Sequence, residues 1–74
     1  MKIKVRLFAT LRRGRDKEVW VEKEAPVKVD DLITALDIPE DQVAILLLNG
    51  RDTTRETPVK EGDVLSIFPP VGGG

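Results

Sequence analysis

The side chains that most often do chemistry are missing from this 74-residue sequence, which has no Cys and no His. A thiolate nucleophile and an imidazole base are therefore excluded, and zinc loses its usual ligands, so no metal site is expected. Ser66 has no His partner and reads as a strand residue. The 13 acids offer no pair whose spacing suggests a glycosidase-type dyad. Glycines at 14, 50, 62 and 72–74 compose neither a P-loop nor a GxGxxG phosphate loop. What remains is the stretch Phe68-Pro69-Pro70-Val71-Gly72-Gly73-Gly74, with the α-carboxylate of Gly74 as its reactive group.

That carboxylate could attack the α-phosphorus of ATP and become an acyl-adenylate. Glycine loses more conformational entropy on ordering than any other residue, so residues 69–74 are expected to form a mobile tail. Pro69 and Pro70 fix φ and favour an extended path away from the body. Without side chains, Gly72 to Gly74 would be slim enough to thread a channel in another protein. On the glycines alone, a tail without function accounts for the segment equally well.

The elements that must present this tail can be read from periodicity. Ile3, Val5 and Leu7 alternate with Lys2, Lys4 and Arg6, the pattern of a half-buried strand. Thr10 to Lys17 reads as a polar loop, and Val19 and Val21 mark a second strand that closes an antiparallel hairpin. Asp30 is the expected N-cap of a short helix carrying Leu32, Ile33 and Leu36, which Pro39 should stop near Asp37. The run Val43 to Leu48 is apolar on both faces and leads into Asn49-Gly50, a hairpin turn signal. A short strand is expected around Asp52 to Glu56, a turn at Glu61-Gly62, and a last strand over Val64 to Phe68. The order β-β-α-β-(β)-β predicts an α+β domain with one helix across one sheet. A single domain over 1–68 followed by the tail 69–74 results.

One helix covers only one face of such a sheet. If Leu65 and Ile67 point inward, Phe68 points out, as do Phe8 and half of Val43 to Leu48. Apolar side chains on an open face mark a docking surface. Loops or the tail covering them is the alternative.

The formal charge of -1 conceals a split. Residues 1–17 carry seven Lys/Arg against one Asp, and the remainder carries five against twelve acids. Such asymmetry could steer a partner, although a solvated surface explains it as simply. The acidic balance and scarce aromatics argue against nucleic acid, despite Arg12-Arg13-Gly14-Arg15. No long apolar run suggests a membrane span, and the N-terminus does not resemble a signal peptide, so a cytoplasmic location is expected.

Three stretches, KVRLFATLRR, LLLNGR and EGDVLSIFPPVGGG, resemble the ubiquitin-like sulfur carriers of the MoaD/ThiS type, in order and over nearly the whole chain. RLFATLR is most similar to the small subunit of molybdopterin synthase. Gly73 and Gly74 match the family's terminal Gly-Gly. The resemblance implies a β-grasp (ubiquitin-like) fold with a mixed four- to five-stranded sheet. It further implies a carrier rather than an enzyme, with no permanently bound cofactor. An E1-like adenylating enzyme would use ATP to activate Gly74, and sulfur would then be held there as a thiocarboxylate. The tail would deliver it to a molybdopterin synthase large subunit or an equivalent acceptor. Phe68, Pro69, Pro70 and Val71 would line the partner's channel, with Gly72 and Gly73 as the thread. Phe8, Leu47 and Phe68 on the open face would be the docking patch for the activating enzyme and the large subunit. A carrier for thiamine or another pathway, and a protein modifier conjugated through Gly74, remain alternatives.

Overall fold

The computed structural model describes residues 1–71; the expectations for Gly72, Gly73 and Gly74 lie outside the described residues. Alternation in the first stretch gives strand β1, Lys2–Leu7, with Ile3, Val5 and Leu7 fully buried. It pairs antiparallel with β2, Glu18–Glu22, so that Ile3 faces Val21 and Val5 faces Val19. The long connection is more structured than a polar loop. A 3-10 turn over Ala9–Arg12 folds Leu11 back under the sheet, where it is buried.

A two-residue strand β3, Val27–Lys28, leads into helix α1, Val29–Ala35. Asp30 is not the cap: the cap is Lys28, two residues earlier than expected, and the Asp31 carboxylate accepts from the Lys28 N–H at 2.9 Å. Asp30 instead sits in the first turn and pairs with Arg55 at 2.9 Å. The seven-residue helix is too short to persist alone and is held by burying Val29, Leu32 and Ile33. It ends at Ala35 and turns through Asp37, at φ +57°, with Asp37 N–H donating to the Thr34 carbonyl and Ile38 N–H to the Ile33 carbonyl. These two bonds satisfy helix-end carbonyls and return Ile38 to the core.

The chain then forms β4 over Ile45–Leu48 and β5 over Arg51–Asp52, joined at Asn49-Gly50 with both turn residues at positive φ. β5 is shorter than the expected 52–56 strand. After it the chain leaves the sheet, and β6, Pro58–Val59, pairs with β3 as a separate two-stranded ladder. The last strand, β7, spans Val64–Phe68 as expected. It runs parallel to β1 and antiparallel to β4, giving the five-stranded order β2-β1-β7-β4-β5. A mixed sheet with the last strand at its centre and one helix on one face is the β-grasp arrangement.

The core lies between α1 and the covered face of this sheet. Leu65 and Ile67 from β7 meet Ile3, Val5 and Leu7 from β1, with Leu32 and Ile33 opposite. Each such side chain contributes about 1.5–3 kcal/mol by leaving water.

Candidate functional site

Central placement of β7 decides where the tail begins. Its first residue is tied down by the hairpin turn: Val64 N–H donates to Asn49 Oδ1 at 2.9 Å, and Asn49 N–H donates to the Val64 carbonyl at 2.8 Å. Asn49 Nδ2 also donates to Asp63 Oδ1 at 2.9 Å, while Lys60 N–H donates to Asp63 Oδ2 at 2.8 Å. Burial pushes the Asp63 carboxyl up, but the Asn49 amide, the Lys60 N–H and the Lys60 charge together hold it below its ordinary value of 3.8. The buried charge is thus fully ligated, and β7 is fixed at its N-terminal end.

At the other end β7 delivers the chain into an apolar groove. Phe8, Ala9 and Thr10 from the end of β1, Ile45 from β4, and Phe68, Pro69, Pro70 and Val71 from the end of β7 line it. Register explains the grouping. Leu7 is aligned with Ile67 and Ile45 with Phe68, so Phe8, Phe68 and Ile45 form one row on the open face. The Phe8 and Phe68 rings stack with centroids 4.2 Å apart. Such a pair adds about 0.5–1.5 kcal/mol beyond its buried area. Ala9, at φ +53°, turns the chain after Phe8 into the 3-10 turn and itself lines the groove.

The candidate residues separate within this geometry. Phe8 and Phe68 are half-buried and together. Pro69 is buried against the body, whereas Pro70 is exposed and Val71 is 89% exposed, the most open large apolar side chain described. Leu47 also lies on the open face, opposite Ser66 and Asp52, but one row away from the groove. Gly72, Gly73 and Gly74 follow Val71 in sequence and are outside the described residues. Ile45, 46% exposed, belongs to the groove and was missed as an individual; the apolar run named its strand but not which side chain meets Phe68.

Basic residues surround the rings. The Arg6 and Arg12 guanidinium carbons each lie 5.6 Å from the Phe8 centroid, and Arg12 Nε donates to the Leu7 carbonyl at 2.9 Å. Farther along the face, Lys2 and Lys4 lie 5.8 and 5.4 Å from the Trp20 centroid. Exposed cation–aromatic contacts are worth about 0.5–1 kcal/mol each. Among the described residues no cluster of three or more Asp or Glu side chains could hold a metal, and no helix is long and apolar enough to cross a membrane. The site therefore offers an apolar seat beside the root of the tail, and no catalytic constellation among the described residues.

Comparisons with known proteins agree with this geometry. Residues 5–74 match the ThiS family. The fold is similar to SAMP1, small archaeal modifier protein 1, from Haloferax volcanii, with a TM-score of 0.80 and 26% identity over the whole of both chains. A protein assigned as molybdopterin converting factor subunit 1 from Pyrococcus furiosus gives a TM-score of 0.80 and 29% identity, covering 96% of this chain and 99% of that one. Subunit 1 in the complex of subunits 1 and 2 of the molybdopterin-converting factor from Helicobacter pylori gives 0.68 and 28%, with both chains fully covered.

Proposed function

The chain belongs to the ThiS family of ubiquitin-like sulfur carriers, and we propose that it holds sulfur as a thiocarboxylate on Gly74 and donates it in molybdopterin biosynthesis. The single observation that carries this reading is the path of β7. The central strand of the sheet is clamped at Asp63 and Val64 and hands the chain to the exposed Val71 beside an apolar groove. A partner that seats on the groove thereby meets Val71, the residue that precedes the glycines in sequence.

In this reading the chemistry belongs to partners, and the chain is a carrier rather than an enzyme. An E1-like enzyme binds ATP, and a Gly74 carboxylate oxygen attacks the α-phosphorus, releasing pyrophosphate. Hydrosulfide then attacks the acyl carbon, AMP leaves, and the thiocarboxylate remains. With no cysteine in the sequence, the chain cannot carry sulfur as its own persulfide. The acceptor is a molybdopterin synthase large subunit, a choice supported by the likeness to a subunit 1 solved together with its subunit 2. Phe68, Pro69, Pro70 and Val71 approach that partner, and Gly72 and Gly73 present no side chain to obstruct the path. Intact mass after incubation with adenylating enzyme, ATP and sulfide tests the proposal: one oxygen of Gly74 should exchange for sulfur.

Likeness to SAMP1, a modifier by its name, supports a second reading in which a lysine amine of a target protein attacks the same adenylate. Both readings need Gly74 activated. Lysine-linked conjugates surviving a denaturing gel would select the modifier.

A further inference from the structure

The open face carries a feature that tail chemistry does not use. All four cation–aromatic contacts of the described residues lie on this one face: Lys2 and Lys4 on Trp20, Arg6 and Arg12 on Phe8. Register makes them continuous. Lys2 is aligned with Glu22, Lys4 with Trp20 on one side and Val64 on the other, and Arg6 with Glu18 and Ser66. These three cations thus run up the second strand of the sheet toward the groove, where Arg12 of the 3-10 turn adjoins Phe8. Trp20 is 58% exposed at the edge of this strip. Ring faces hold the four charged ends in place, so less side-chain entropy remains to be lost when they meet anions.

We propose that this strip is a recognition surface for an acidic segment of a protein partner, contacted together with the apolar groove. The inference rests on the carrier reading for the partner's identity, but not for the binding itself. Charge complementarity selects the occupant. Seven of the twelve Lys/Arg fall in residues 1–17, and Lys2, Lys4, Arg6 and Arg12 are the members lying against the rings of this face. A protein segment suits it better than a nucleic acid strand. Glu18, 3.9 Å from Lys4 and 3.5 Å from Arg6, would repel a continuous phosphate backbone, and the adjoining groove is apolar. Separate carboxylates on a folded partner can straddle Glu18. The strip thus steers and orients the partner while the groove supplies contact area.

Trp20 is the only tryptophan, so its emission reports occupancy directly. The full chain is titrated with a glutamate-rich peptide containing interspersed leucines, with the same peptide carrying glutamine in place of glutamate, and with oligouridylate RNA. A saturable emission change is expected with the glutamate peptide alone, and it should fade as ionic strength rises to about 0.5 M. Replacing Lys2, Lys4 and Arg6 together with Gln should weaken it roughly tenfold. Glu18→Gln should tighten it about twofold, a gain that misfolding would not produce. Equal response to the glutamine peptide, no saturable response, stronger binding of RNA, or weakening by Glu18→Gln would overturn the proposal. Deleting Gly74 should leave the titration unchanged. Failure of the full chain to load sulfur while it still binds the peptide therefore counts against the carrier reading alone, and loading without saturable peptide binding counts against the strip alone.

Discussion

The Phe8 and Phe68 rings lie nearly parallel, 12° apart in plane with centroids 4.2 Å apart, although they come from opposite ends of the chain. This contact joins the end of β1 to the end of β7 on the face that α1 does not cover. It places an aromatic floor directly before Pro69, Pro70 and Val71. The stack is a half-buried surface feature, so its loss should separate partner binding from folding.

Phe68→Arg should weaken binding of the adenylating enzyme or synthase subunit by tenfold or more, in the manner of a lost central anchor (about 2 kcal/mol). Its unfolding free energy should fall by only about 1 kcal/mol, since the ring pair contributes roughly that much. Leu47→Arg, one row away on the same face, should affect binding less. Calorimetric titration with the partner and urea unfolding measure the two quantities. A Phe68→Arg chain that fails to fold would assign Phe68 to the core instead.

Asn49 and Asp63 supply the clamp on β7. Asn49→Ala leaves a buried carboxylate with one donor fewer and should cost about 1–3 kcal/mol in urea unfolding. The folded-state pKa of Asp63 is lowered, so its contribution is present above the ordinary value of 3.8 and is lost as pH falls through the lower folded value. Asp63→Asn should therefore be less stable than the natural chain at neutral pH. The gap should narrow on acidification below 3.8, read as thermal midpoints across that range.

The left-handed Asp37 is a place where stability can be gained. At φ +57° its Cβ is strained, and its charge sits at the negative end of α1. Asp37→Gly should raise stability by about 0.5–1 kcal/mol, with an upward shift of a few degrees in the thermal midpoint.

Leu11 tests the part of the core that periodicity did not announce. It is buried, yet it lies among Thr10, Arg12 and Arg13 in a stretch that reads as a polar loop. Leu11→Ala should cost about 2–4 kcal/mol, against a few tenths for alanine at the neighbouring exposed Arg13.

These residues also show where local sequence signals end. Ile3, Val5, Leu7, Leu65 and Ile67 were legible because strand alternation and burial coincide, and Asn49-Gly50 because its turn demands positive φ at both positions. Leu11 was not, because a single apolar residue in a 3-10 turn has no period. The pairing of β3 with β6 joins two-residue strands far apart in sequence, too short to carry a pattern. The helix cap is Lys28, two residues before the expected Asp30, and the adjacent Asp30 and Asp31 are chemically alike. Only the position of Arg55 and the Lys28 N–H divides their roles. For the candidate site, residue types indicated the tail and the open face, while the meeting of Phe8, Ile45 and Phe68 needed the register of three strands.

The central claim concerns Gly74, and intact-mass spectrometry tests it most directly. The chain is incubated with the adenylating enzyme, ATP and sulfide, and then fragmented to locate the change. The account predicts replacement of one oxygen by sulfur on Gly74, dependent on ATP and abolished when Gly74 is deleted from a chain whose circular dichroism is unchanged. An unmodified Gly74 under conditions where the enzyme loads another carrier, or sulfur found on any other residue, would contradict it.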